Sequence, residues 1–122
     1  MKKILALVFL CIVILSCKNE ETLPDPYEAG WNGEKVCEIL EENNQYRILK
    51  CTFPPGVGHE KHYHQPHFGY TLKGSRFRIV DAEGTHEYDL PDGTYFSKTE
   101  GFSHEALNIG DSTAIFLIFE PK

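Results

Sequence analysis

From Val36 onward the chain alternates apolar and polar residues with a period of two over short stretches, and each stretch ends at a cluster of Gly, Pro, Asn or Asp. No segment keeps apolar residues at helical spacing for more than about two turns. Tyr46–Phe53 alternates and is rich in β-branched and aromatic side chains, which predicts a strand closed by Pro54-Pro55-Gly56. Phe68–Lys73 and Ser75–Val80 flank Gly74, which reads as a bulge or a sharp bend between two pieces of strand, and Asp81-Ala82-Glu83-Gly84 closes that pair. Thr85–Leu90 runs into Pro91-Asp92-Gly93, a turn because Pro presets φ and Gly accepts a positive one. Thr94–Lys98 resumes the sheet and Asn108-Ile109-Gly110-Asp111 turns it again. Thr113–Phe119 holds four large apolar residues in a row, Ile115 to Ile118, the pattern of a strand buried on both faces. The pattern predicts one all-β domain over residues 36–122.

The N-terminus follows a different logic. Lys2 and Lys3 precede an apolar run from Ile4 to Leu15, the charged head and short apolar stretch of a secretory signal. The run is twelve residues long, whereas a membrane-spanning helix needs roughly 20. It ends in Ile14-Leu15-Ser16-Cys17, which resembles the bacterial lipobox, where the cysteine receives lipid and becomes the new N-terminus. Residues 1–16 are therefore expected to be a lipoprotein signal peptide, Cys17 the lipidation site, and the cell envelope the location, with the membrane reached through the N-terminal lipid. The stretch from Lys18 to Glu28 is polar and acidic, too poor in apolar surface to order itself, so residues 17–35 are expected to form a flexible tether.

Bulk properties add two constraints. Hydrophobic residues at 41% and charged residues at 25% are those of an ordinary globular chain. The net charge is −6, and removing residues 1–16 with Lys2 and Lys3 leaves 10 Lys and Arg against 18 Asp and Glu, or −8. Such a domain repels phosphate, so nucleic acid is not an expected partner. Cys37 and Cys51 lie in the exported body, where a disulfide is permitted, but spacing alone leaves a cystine and two buried thiols equally open.

The candidate chemistry lies in the histidines. In a strand, His62-Tyr63-His64 aims both imidazoles to one face, the geometry for two ligands on one ion, and imidazole nitrogen suits zinc, copper, iron and nickel. An H-x-H alone also describes a surface loop. Its surroundings are more specific. Gly56, His62, His64 and Gly74 fall on the glycines and histidines of G-x5-H-x-H-x(3,4)-E-x6-G, with His67 at the position of the glutamate. Gly93, Gly101, His104 and Asn108 match G-x5-P-x-G-x2-H-x3-N throughout, with Thr99 in place of the proline. These two motifs resemble those of the cupin superfamily, and together they span most of the folded body.

The resemblance implies a small double-stranded β-helix, a jelly-roll-like barrel, holding a divalent metal ion (iron, zinc, nickel, copper or manganese) on His62, His64 and His104. Pro66 predicts a turn that frees His67 from strand parity, so His67 is expected to face inward as a fourth ligand, in a site of neutral nitrogens without a carboxylate. Cupins that use three histidines without the glutamate are similar to thiol and diketone dioxygenases, so a histidine-ligated Fe(II) dioxygenase of small molecules is one expected function. The other is a non-catalytic lipoprotein that binds a metal or a small molecule. Single-domain cupins often pair, which makes a homodimer an expectation too. His59 reads as a loop residue at the barrel mouth and His86 as a solvent-facing strand residue, neither a ligand. Tyr70, Phe77, Phe96 and Phe102 could line a pocket, although in a barrel this small aromatic residues more often fill the core. Ser103 adjoins His104 without an acidic partner at recognisable spacing, which argues against hydrolase chemistry.

Overall fold

The computed structural model describes residues 22–122; the signal peptide over 1–16 and the lipidation site at Cys17 lie outside them. Among these described residues eleven strands follow one another: β1 Gly30–Trp31, β2 Glu34–Lys35, β3 Cys37–Glu42, β4 Tyr46–Phe53, β5 Gly58–His64, β6 His67–Lys73, β7 Ser75–Asp81, β8 Gly84–Leu90, β9 Tyr95–Lys98, β10 Phe102–Asn108 and β11 Ala114–Pro121. Apart from the small β1–β2 hairpin they form two antiparallel sheets, one ordered β5-β10-β7-β8 and the other β3-β4-β11-β6-β9. The strands exchange between sheets at almost every turn, which makes a double-stranded β-helix. The all-β expectation is met.

The inner faces carry the core: Leu49, Cys51 and Phe53 from β4, Phe77 from β7, Ala106 from β10, and Ala114, Phe116 and Ile118 from β11. β11 differs from the strand buried on both faces that its composition suggests. Ala114, Phe116, Ile118 and Glu120 are buried, while Phe119 is 38% exposed and Ile115 and Leu117 are half-buried. An antiparallel barrel covers only its inner face, so the second row of apolar side chains remains partly in water.

Gly74 is a corner rather than a bulge within one strand. It carries the chain from β6 in one sheet to β7 in the other, and a Cβ there would lie 2.1 Å from the Leu90 carbonyl oxygen. At Asn108 the buried amide holds the end of β10: its Nδ2 donates to the Phe53 and Ser112 carbonyls, both at 2.8 Å, while Oδ1 accepts from the Gly110 amide at 3.0 Å and the Ser75 hydroxyl at 2.8 Å. Four hydrogen bonds tie both sheets at one point, a structural reason for an asparagine at this motif position.

Residues 22–35 pack against the barrel, contrary to the tether expected over 17–35. Trp31 covers Gly58, where a Cβ would lie 2.7 Å from the indole ring. The Tyr63 amide donates to the Pro24 carbonyl at 2.9 Å, Pro26 is fully buried, and Asp25 pairs with Arg47 at 3.0 Å. The segment is held by Pro26, Tyr27, Ala29 and Trp31, which pack inward, and by hydrogen bonds to strand β5 and beyond.

Cys37 and Cys51 face each other across β3 and β4 and are joined as a disulfide, which settles the alternative that spacing left open. The bridge closes a short loop, so the double Cys37→Ser, Cys51→Ser variant is expected to lose about 3 kcal/mol of unfolding free energy in denaturant titration. An unchanged midpoint would show that the strand pairing alone suffices.

Candidate metal centre

Strand alternation puts His62 and His64 on the inner face of β5, both buried, with Tyr63 pointing outward between them. The third imidazole comes from far along the chain: β10 runs antiparallel beside β5 with His104 directly opposite His62. The Nε2 atoms of His62 and His64 are 2.8 Å apart, and one nitrogen from each of the three rings lies within 4.8 Å of the other two. Nitrogens bound at about 2.1 Å to one ion are at most about 4.2 Å apart, so the spacing of the trio is close to what a shared ion requires.

The far side of each ring bears on the same question. His62 Nδ1–H donates to the Glu60 carbonyl at 2.7 Å, which leaves a lone pair on Nε2. His64 Nδ1 is buried and has no hydrogen-bond partner; Glu120 Oε1 stands 3.8 Å from it. Burial pushes His62 and His104 down to about 3, and the neighbouring imidazoles add to the shift. Burial likewise lowers His64 and His67. The rings are therefore neutral at physiological pH, which is the form that binds metal. Converging ring nitrogens, two of them joined by a hydrogen bond that a metal would replace, a neutral donor set and a buried nitrogen without a partner together fit a divalent ion.

His67 enters where the chain turns at Gln65-Pro66, and it is buried as the turn predicts. It does not complete a four-histidine cluster. Its Nδ1–H donates to the Gln65 carbonyl at 2.8 Å, and its ring stacks on His64, with centroids 4.3 Å apart and planes 26° apart, instead of joining the trio. His59 is a larger departure from expectation. It is buried on β5 and not at a loop tip, because the register shifts opposite His104 and Ala106: three residue steps from His59 to His62 face two on β10. This bulge flips parity and turns His59 inward. Its Nε2–H donates to the Pro26 carbonyl at 2.9 Å, and its ring lies 3.8 Å from that of His62 as a packing partner. His86 is half-buried on β8, 3.7 Å from Asp81 and away from the trio.

Beside the imidazoles the barrel holds a half-open cavity of about 290 Å³. Phe77, Phe96 and Phe102 line it, as does Phe116, whereas Tyr70 is on the outer face and 39% exposed. Lys98 and Asp81 contribute the charged part of the wall. A carboxylate lies behind the cluster, outside the set of converging nitrogens. Glu120, 6% exposed, lies behind His64 and is held by Arg47, whose Nε and guanidinium NH2 group donate to its Oε2 at 2.8 and 2.6 Å. Sequence reading passed over this residue, yet a signal existed: it extends the inward row Ala114, Phe116, Ile118, where a charge is out of place.

Similarity to solved structures agrees with this architecture. A cupin domain from Bordetella pertussis superposes with a TM-score of 0.67 at 20% identity, covering 83% of this chain and 97% of its own. The polyketide cyclase RemF from Streptomyces resistomycificus gives 0.55 at 20% identity over 70% and 63% of the two chains. A predicted oxalate decarboxylase from Thermotoga maritima gives 0.54 at 18% identity over 70% and 79%. No family model matches the sequence, and no curated protein sequence matches it. The fold is that of the cupins, and its histidine cluster occupies the barrel interior.

Neutral buried imidazoles set the acid stability of the metal-free protein. The unfolded rings titrate near pH 6.5 while the folded His62 and His104 titrate only at about 3. The unfolded state thus binds more protons below about pH 6.5, and stability falls as pH is lowered from there toward 3. Chemical denaturation at about pH 7 and pH 5 checks this, with a lower midpoint expected at pH 5; equal midpoints would contradict neutral burial.

Proposed function

We propose that this chain is a metal-dependent cupin that binds a small, largely apolar molecule beside a three-histidine centre, with His62, His64 and His104 as ligands and His67 on the cavity side. The carrying observation is the convergence of three imidazole nitrogens from β5 and β10 next to an aromatic cavity. A divalent ion held there supplies a Lewis acid with coordination positions left open by a three-histidine set. The chain's own residues do the rest. Phe77, Phe96, Phe102 and Phe116 exclude water and grip an apolar body, and Lys98 offers a cation to an anionic group. His67 lines the cavity, and its Nε2, free of the Gln65 hydrogen bond, offers a proton acceptor to a bound molecule.

Three ligands in place of four favour an enzyme over a saturated binding site, and an oxidative conversion such as a dioxygenase reaction fits a histidine-only iron site. Similar structures include a polyketide cyclase and a predicted oxalate decarboxylase, so the fold supports several reaction types. The second reading, a binding lipoprotein without turnover, shares the same site. Localisation at the cell envelope rests on the lipobox-like Ile14-Leu15-Ser16-Cys17, and the Cys37–Cys51 disulfide is compatible with an oxidising compartment.

Metal analysis of purified protein should find about one divalent ion per chain, and His104→Ala should weaken binding by more than the roughly 10–100-fold typical of changes outside the ligand shell. Wild-type protein that takes up no iron, zinc, nickel, copper or manganese would end the metal reading. With iron loaded, oxygen uptake is expected on adding thiols or dicarbonyls; stoichiometric binding without uptake on any of them would favour the binding lipoprotein. In cells, Cys17→Ala should abolish labelling by radioactive palmitate, and persistent labelling would place the anchor elsewhere.

A further inference from the structure

Among the described residues Glu120 is the one buried acid near the histidines, and its two oxygens have different surroundings. Oε2 accepts both hydrogen bonds from Arg47, at 2.8 and 2.6 Å, and Arg47 is held in turn by Asp25 at 3.0 Å. Oε1 is left over and stands 3.8 Å from His64 Nδ1, a buried nitrogen with no partner. The carboxylate cannot drift far: the β4–β11 ladder pairs Arg47 with Glu120 directly, and Glu120 is 6% exposed.

Building on the metal-centre reading, we infer that Glu120 is a positioning residue for His64: its Oε1 accepts the His64 Nδ1–H, which fixes the ring in the tautomer that presents Nε2 to the ion. An imidazole carries one proton when neutral, so placing it on Nδ1 is what frees the Nε2 lone pair. His62 and His67 obtain the same result from the Glu60 and Gln65 carbonyls. His64 relies on an anion instead, which makes it a more electron-rich donor than His62 and more sensitive to a single substitution. A charge-assisted hydrogen bond of about 2.8 Å requires the ring and carboxylate to close by about one ångström. Arg47 and Asp25 aim the carboxylate, and so extend control of the centre to the segment before β1.

Glu120→Gln separates this role from simple packing. Arg47 has only donors, so the amide oxygen turns to Arg47 and the amide NH2 faces His64 Nδ1. That donor selects the Nε2–H tautomer and removes the ligand lone pair. Cobalt(II) affinity of the full chain is expected to fall about 10–100-fold, with the visible spectrum of the bound ion altered. In zinc-loaded wild type, nitrogen-15 spectra should show His64 protonated at Nδ1 with the metal on Nε2. That measurement needs no variant, so a Glu120→Gln chain that fails to fold does not remove the test. Glu120→Gln binding cobalt within about two-fold of wild type, or His64 protonated at Nε2 in the zinc-loaded protein, would overturn the inference while leaving the metal centre standing. Wild type that binds neither ion would overturn both.

Discussion

The antiparallel pairing of β5 with β10 is the contact on which the site depends. Neither strand holds all three rings of the candidate site, since β5 contributes His62 and His64 and β10 contributes His104. Register decides the outcome. With His104 opposite His62, all three rings meet on the inner face, whereas a slip of one residue would turn His104 toward solvent. Asn108 pins the far end of β10 through hydrogen bonds to the Phe53 and Ser112 carbonyls and so makes the slip costly.

Around that register the barrel assembles a polar cluster that an apolar core would not tolerate without compensation. Five imidazoles pack against one another and against Phe102, and each remains neutral because burial disfavours its charge. Backbone carbonyls of Pro26, Glu60 and Gln65 accept hydrogen bonds from three of them. Behind His64 the Asp25–Arg47–Glu120 chain of ion pairs carries charge from the surface to the edge of the cluster. The site is thus joined to the segment before β1, which lies outside the region that the cupin-like motifs cover.

An aromatic cavity of about 290 Å³ lies against the same cluster, with walls mostly apolar and an imidazole side that is polar.

The all-β class, the turns at Pro54-Pro55-Gly56 and Pro91-Asp92-Gly93, and the inward pair His62 and His64 were legible in the chain itself, because turn chemistry and two-residue alternation are local properties. The spacing of the two motifs also pointed to His104. Other features required the three-dimensional arrangement. His59 faces inward only because a bulge on β5 resets parity, and no local pattern announces that bulge. His67 stacks on His64 instead of joining the trio because the corner at Pro66 sets its position relative to another strand. The Cys37–Cys51 bond depends on the register of β3 against β4, and the docking of residues 22–35 on Trp31 and Asp25 contacts that composition does not count. Local alternation tells which way a side chain points along its own strand; which strand lies opposite, and in what register, is a long-range property that the folded sheet decides.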